Sequence, residues 1–144
     1  MRLPEHLFLY GTLLQRACNP VAVALHEHLG LGRVGQVPGQ LHAVCDPAGW
    51  YPALLPGAGI VAGMVHDVGP GFDAGLLAML DAYEDVRPDA SGEYRRETWS
   101  VRTQIGEVSA DLYVYNVPLP PGSRPVTGGD FQAFLVRHGL PRFG

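Results

Sequence analysis

Hydrophobic positions along the chain fall into short runs and alternations, not into one sustained period. The first run, His6-Leu7-Phe8-Leu9-Tyr10, is nearly continuous and stops at Gly11, which predicts a buried strand. Asn19-Pro20 then introduces a helix over residues 21–29, ended by Gly30. Residues 32–44 are strand-like, with Val34, Val37 and Leu41 as apolar points and Pro38-Gly39 as a bend or bulge. Residues 50–55 predict a further short strand closed by Pro56-Gly57. Residues 60–68 predict another strand, with Ile60, Ala62, Met64 and His66 on one face and Val61, Gly63, Val65 and Asp67 on the other.

After Gly69-Pro70-Gly71 the pattern changes to that of a helix, predicted over residues 72–84. At about 100° per residue, Phe72, Leu76, Leu77, Met79, Leu80 and Tyr83 form one apolar stripe. Asp81 and Asp85 point away from the stripe, whereas Glu84 projects into it, between Leu80 and Leu77. Residues 87–92 read as a polar loop. Residues 94–103 and 107–115 predict a hairpin around Gln104-Ile105-Gly106. Residues 116–125 are proline-rich and too stiff for a packed element. Thr127 is expected to cap a last helix over residues 130–138, with Asp130 in the capping-box position. About six strands, a few helices and mostly hairpin-like connections predict an α+β domain built on a mixed sheet or barrel.

Composition narrows the possible functions. A chain of 144 residues has the size of a single domain, expected to span residues 1–144. Its 47% hydrophobic and 17% charged residues argue against disorder. A net charge of −4, with no basic stretch longer than Arg95-Arg96, argues against nucleic-acid binding. No apolar run approaches the roughly 18 residues of a membrane-spanning helix, and the N-terminus lacks the apolar stretch of a signal peptide. Cys18 and Cys45 suit a reducing compartment, so a cytoplasmic location is expected.

Two features carry candidate chemistry. A carboxylate aimed at a core is costly unless it is hydrogen-bonded or works as a tuned acid or base, so Glu84 is either a structural cap or a functional group. Burial there would raise its pKa and make it a stronger base. The second is the turn Tyr10-Gly11-Thr12-Leu13, where a glycine after a buried strand can expose successive backbone N–H groups able to hold a carboxylate or an oxyanion. Thr12 as a nucleophile would need an adjacent base, and none is near in sequence. His26-Glu27-His28 has the wrong spacing for two imidazoles on one helix face to share a metal. His42, His66 and Cys45 would meet only through the fold. Tyr94, Tyr113 and Tyr115 are expected in the sheet core, with one or two at a pocket wall; Tyr115 is counted with the substrate site.

With the turn and the carboxylate identified, the chain resembles the gamma-glutamylcyclotransferase family, which includes the gamma-glutamylamine cyclotransferases and the avirulence-induced-gene-like proteins. The matching blocks run in order. Phe8-Leu9-Tyr10-Gly11-Thr12-Leu13 resembles the family's N-terminal signature and Tyr51-Pro52-Ala53-Leu54-Leu55-Pro56-Gly57 its second block. Val61-Ala62-Gly63-Met64-Val65-His66-Asp67-Val68 resembles the next strand, where a tyrosine often stands at the place of His66. Leu80-Asp81-Ala82-Tyr83-Glu84 resembles the block with the catalytic glutamate; Tyr94-Arg95-Arg96 and Ala110-Asp111-Leu112-Tyr113-Val114-Tyr115 resemble the last strands. Thr12 stands where family branches carry serine or threonine. Asp85 stands where many members have glycine, and a second carboxylate there would raise the pKa of Glu84 slightly.

The resemblance implies a small mixed barrel-like β-sheet flanked by helices and enclosing a cavity. It implies a cyclotransferase that releases 5-oxoproline from a gamma-glutamyl amide, of lyase or acyltransferase class. Glu84 would be the general acid/base, and the Gly11, Thr12 and Leu13 N–H groups would hold the substrate carboxylate or the oxyanion. No cofactor, metal or nucleotide is implied. The expected partner is a small gamma-glutamyl substrate, without nucleic acid or membrane, on a monomer or weak homodimer. Release of a gamma-glutamyl protecting group would use the same residues. The alternative is a non-catalytic small-ligand-binding module on the same fold. A catalytic Glu84 should face an open pocket beside the Tyr10–Leu13 turn; a structural one should be sealed by a protein donor.

Overall fold

The computed structural model describes residues 3–11 and 20–143. Its elements are β1 (His6–Leu9), α1 (Pro20–His26), β2 (Leu29–Asp46), β3 (Gly49–Val68), α2 (Ala74–Tyr83), β4 (Tyr94–Thr103), β5 (Gly106–Tyr115), β6 (Arg124–Pro125) and α3 (Phe131–His138). The strands lie in the order β3-β1-β5-β4-β2-β6, and β2 also pairs with β3. Strands β3, β1, β5, β4 and β2 therefore close into a five-stranded barrel, with β6 added outside on β2. The β1–β5 contact is parallel, with Leu7 opposite Asp111, and the other pairings between strands are antiparallel. Closure leaves no open edge among the five barrel strands.

Side-chain alternation divides the core into two layers. Phe8 and Tyr10 join Val37, Val61, Val65, Val101, Leu112 and Val114 in one buried cluster, which Phe131, Phe134 and Leu135 of α3 extend. Leu7 and Leu9 face the opposite way and pack with Ala22, Leu25, Leu76, Leu77 and Leu80 of α1 and α2; Tyr113 and Tyr115 share that side. Burial on both faces explains why the β1 segment reads as continuous rather than alternating.

Several boundaries differ from the sequence expectations. The predicted strands at 50–55 and 60–68 are one strand, β3. Its pairing jumps from Pro38↔Ile60 to Gln40↔Leu55, so Pro56-Gly57 and the two residues after them form a wide bulge instead of a strand end. The bend at Pro38-Gly39 is the other half of that irregularity. Helix α1 stops at His26, because Leu29 already pairs with Val68; Gly30 belongs to β2 and is not a helix terminator. Asp73 caps α2 by accepting from the Leu76 N–H at 2.9 Å, so the helix starts at Ala74 and not at residue 72. Asp130, not Thr127, caps α3, accepting from the Ala133 N–H at 3.0 Å. The end of the proline-rich segment does pack, Arg124 and Pro125 pairing with Ala43 and His42. Among the described residues no helix is long and apolar enough to cross a membrane.

Candidate active site

Glu84 follows the last residue of α2 and caps the helix with φ −88° and ψ 6°. Its N–H still bonds the Leu80 carbonyl at 3.0 Å, so its side chain keeps nearly the direction that the helix period gives it. Leu76, Leu77 and Leu80 are buried on that face. Met79, expected on the same stripe, is 37% exposed. It sits at the edge of a stripe centred on the three leucines, so the apolar face is narrower than six residues.

Next to Glu84 lies a cavity of about 90 Å³. Phe8, Leu9, Tyr10 and Gly11 line it from β1 and the turn that follows, and Tyr51 and Pro52 from β3. Tyr83, Glu84, Glu93, Tyr94, Tyr113 and Phe143 complete the wall. Tyr10, Tyr94 and Tyr113 are buried at its floor, whereas Tyr51, Glu84, Glu93 and Phe143 are partly exposed. Among the described residues, none donates a hydrogen bond to the Glu84 carboxylate. Burial, then the Glu93 and Asp81 carboxylates, push its pKa up to about 8. The Tyr10, Tyr94 and Tyr113 hydroxyls are themselves pushed up, mainly by burial and further by the charge of Glu84.

The wall is held by polar bonds. Tyr10 donates to the Tyr113 carbonyl and Tyr94 to the Pro52 carbonyl. Tyr113 donates to Asp81 Oδ1 at 2.9 Å, and Arg96 Nε bonds the same oxygen at 3.0 Å. Arg96 Nη1 reaches Asp111 Oδ2 at 2.7 Å, and Thr98 donates to Asp111 Oδ1 at 2.7 Å. This network ties α2 to β4 and β5 three residues before Glu84. The C-terminal segment closes one side: the Phe143 N–H bonds the Trp50 carbonyl at 2.9 Å, and the Phe143 ring meets Tyr51 edge-on at 5.5 Å.

Asp85 has a different role from the one expected. Its φ of 56° lies in the left-handed region, where glycine is most at ease and Asp is tolerated. That conformation explains why glycine suits this position in the resembled family. Its carboxylate is directed at Arg87 Nε (2.9 Å) and at the Glu93 N–H (3.1 Å), and the bond from Arg87 first, then that from Glu93, holds it below the usual carboxylate range. The charges acting on Glu84 are those of Glu93 and Asp81, not Asp85.

Of the residues assigned to the site from sequence, Glu84, Tyr10 and Gly11 meet at one cavity. Thr12 and Leu13 lie outside the described residues. Tyr115 does not line the cavity; it is buried behind the wall, edge-on to Tyr94 at 5.3 Å. Gly11 is needed for space and not for a positive φ: a Cβ there would stand 2.2 Å from Pro52 Cγ. Tyr94 and Tyr113 are the core tyrosines that reach the wall. Tyr51, Glu93 and Phe143 had no site signal of their own, since a polar residue before a strand or an aromatic near the C-terminus is common.

A five-stranded mixed barrel defines the fold, and the cavity beside the carboxylate at the end of α2 is the candidate site within it. The pattern of the gamma-glutamyl cyclotransferase, AIG2-like family matches residues 7–133, and the chain belongs to that family. Membership supports a cyclotransferase-type enzyme. The fold is similar to that of YkqA from Bacillus subtilis, with 19% identity and a TM-score of 0.67; the match covers 95% of this chain and 43% of YkqA. An AIG2-like protein from Mus musculus matches with 24% identity and a TM-score of 0.56, over 98% of this chain and 86% of that one. A structure described as gamma-glutamyl cyclotransferase matches with 15% identity and a TM-score of 0.62, over 97% and 89%. No curated protein matches the chain.

Proposed function

We propose that this protein cyclises a gamma-glutamyl amide to 5-oxoproline and a free amine, with Glu84 as general acid/base. The observation that carries the reading is that Glu84, a partly exposed residue, lines one cavity with Tyr10 and Gly11 and has no described protein donor to its carboxylate. A purely structural cap would be bonded and sealed. The α-amine nitrogen forms a bond to the γ-carbonyl carbon, and the bond from that carbon to the leaving nitrogen breaks. The attacking ammonium gives up two protons in turn, one to become the nucleophile and one as the ring closes. Glu84 takes each and passes it to the leaving nitrogen, which departs as an ammonium, so no external proton is consumed.

The raised pKa suits this exchange. An α-ammonium group titrates far above an ordinary carboxylate, and a Glu84 raised to about 8 narrows that gap, so moving the proton between them costs less. The ammonium's own charge offsets the neighbouring carboxylates when substrate enters. Backbone N–H groups of Gly11, Thr12 and Leu13 are assigned to the substrate carboxylate or the developing oxyanion; one such donor contributes about 3 kcal/mol. Ring closure is intramolecular, so much of the protein's task is to hold the glutamyl unit folded. The test is a panel of gamma-glutamyl amides incubated with the purified protein and assayed for 5-oxoproline. At least one should be turned over, with the amine and 5-oxoproline formed in equal amounts. Release of glutamate instead would mean hydrolysis and would overturn the proposal.

A further inference from the structure

The cavity has a second carboxylate that carries no proton in the cyclisation. Glu93 precedes β4, and its main chain is fixed on both sides: its N–H bonds Asp85 Oδ2 at 3.1 Å and its carbonyl accepts from the Asn116 N–H at 2.8 Å. Its Oε2 accepts from the Tyr51 hydroxyl, a neutral donor that leaves the negative charge in place. Among the described residues Glu93 forms no ion pair, and no Arg or His lines the cavity. The chain contains no lysine at all.

The position of Glu93 also matters. It belongs to the partly exposed rim with Tyr51 and Phe143, whereas Tyr10 and Gly11 stand where the glutamyl unit is placed under the proposed function. A gamma-glutamyl amide seated with its α-amine at Glu84 must send its leaving amine outward, past that rim. The rim therefore offers a carboxylate bonded to the Tyr51 hydroxyl, with the Tyr51 and Phe143 rings lining the same cavity, and a carboxylate among aromatic rings favours an alkylammonium group. A carboxylate there would meet like charge from Glu93.

We propose that Glu93 is a specificity-determining residue which selects gamma-glutamyl amides whose leaving amine carries a second, cationic group at its far end. This rests on the cyclotransferase reading given above. Matched substrates test it: the gamma-glutamyl amides of cadaverine, pentylamine and 5-aminopentanoate share a chain length and end in a cation, a methyl group and an anion. The wild type should show kcat/KM roughly tenfold or more higher for the cationic amide than for the neutral one, with the anionic amide lowest. Glu93→Gln should bring the cationic-to-neutral ratio close to one, and Glu93→Asp should restore part of it. A ratio unchanged by Glu93→Gln, an equal loss on all three amides, or a wild-type preference for the anionic amide would overturn the proposal. Binding of the same amides to Glu84→Gln, measured by calorimetry, keeps the two readings apart. If the wild type released no 5-oxoproline from any amide, the cyclotransferase reading would fall. The Glu93-dependent preference for the cationic amide would still stand or fall on the binding ratio.

Discussion

Replacing Glu84 by Gln is expected to lower kcat for 5-oxoproline release by about 10²–10⁴, the range that a positioned general acid/base supplies. Gln keeps the size and the hydrogen-bonding shape of the side chain but cannot take the proton. The same change should stabilise the fold. The Glu84 carboxyl is raised from 4.5 to about 8, so between those values the folded protein holds a proton that the unfolded chain has lost. Stability conferred by the neutral form is fully present below pH 4.5 and is lost as pH rises through about 8. Glu84→Gln removes that pH dependence. With allowance for the partial exposure of Glu84, the variant should gain on the order of 1–3 kcal/mol over the wild type at pH 8, and little at pH 5. Urea unfolding at the two pH values reads the difference. A variant both inactive and less stable at pH 8 would point to a structural role.

Gly11→Ala is expected to have the second largest effect. The added Cβ would meet Pro52 Cγ at 2.2 Å and Cδ at 2.9 Å, and a pyrrolidine ring inside a paired strand cannot swing away as a flexible side chain would. Either the end of β1 or strand β3 must move. Overpacking of this kind costs about 1–3 kcal/mol. Both segments line the cavity, and the carbonyl of Pro52 holds the Tyr94 hydroxyl. The Gly11 carbonyl also accepts from Gln132 Nε2 at 3.2 Å, so a shift is passed to α3. Displacing a positioning wall by about 1 Å can cost 10²-fold, so kcat/KM should fall by about that factor. Thermal unfolding and steady-state kinetics on the same preparation check both parts; wild-type values in both would show that β1 and Pro52 have room to spare.

How much of this was legible in the sequence depended on how local the signal was. The β1 run, the β4–β5 hairpin and α2 were readable because each carries its own period and its own punctuation. The direction of Glu84 was readable for the same reason: the helix period places it between Leu77 and Leu80 even though the helix ends one residue earlier. The failures were non-local. Pro56-Gly57 looks like a strand end because proline cannot donate to a ladder, yet the long partner β2 carries β3 through the bulge. Gly30 looks like a helix stop but is claimed by pairing to β3. The cavity itself was the least legible part. Tyr51, Glu93 and Phe143 come from three distant segments and acquire a shared wall only when the barrel closes and the C-terminal segment returns to Trp50.

The central claim is that Glu84 is the base in the reaction, and the pH dependence of kcat/KM for 5-oxoproline release tests it most directly. In the free enzyme the carboxyl must be ionised while the substrate amine carries its proton. The acid limb of the wild-type profile should therefore fall near pH 8, and removing the Glu93 charge with Glu93→Gln should move that limb to lower pH. An acid limb at 4–5, where an ordinary carboxylate titrates, or a limb that Glu93→Gln leaves in place, would contradict the account.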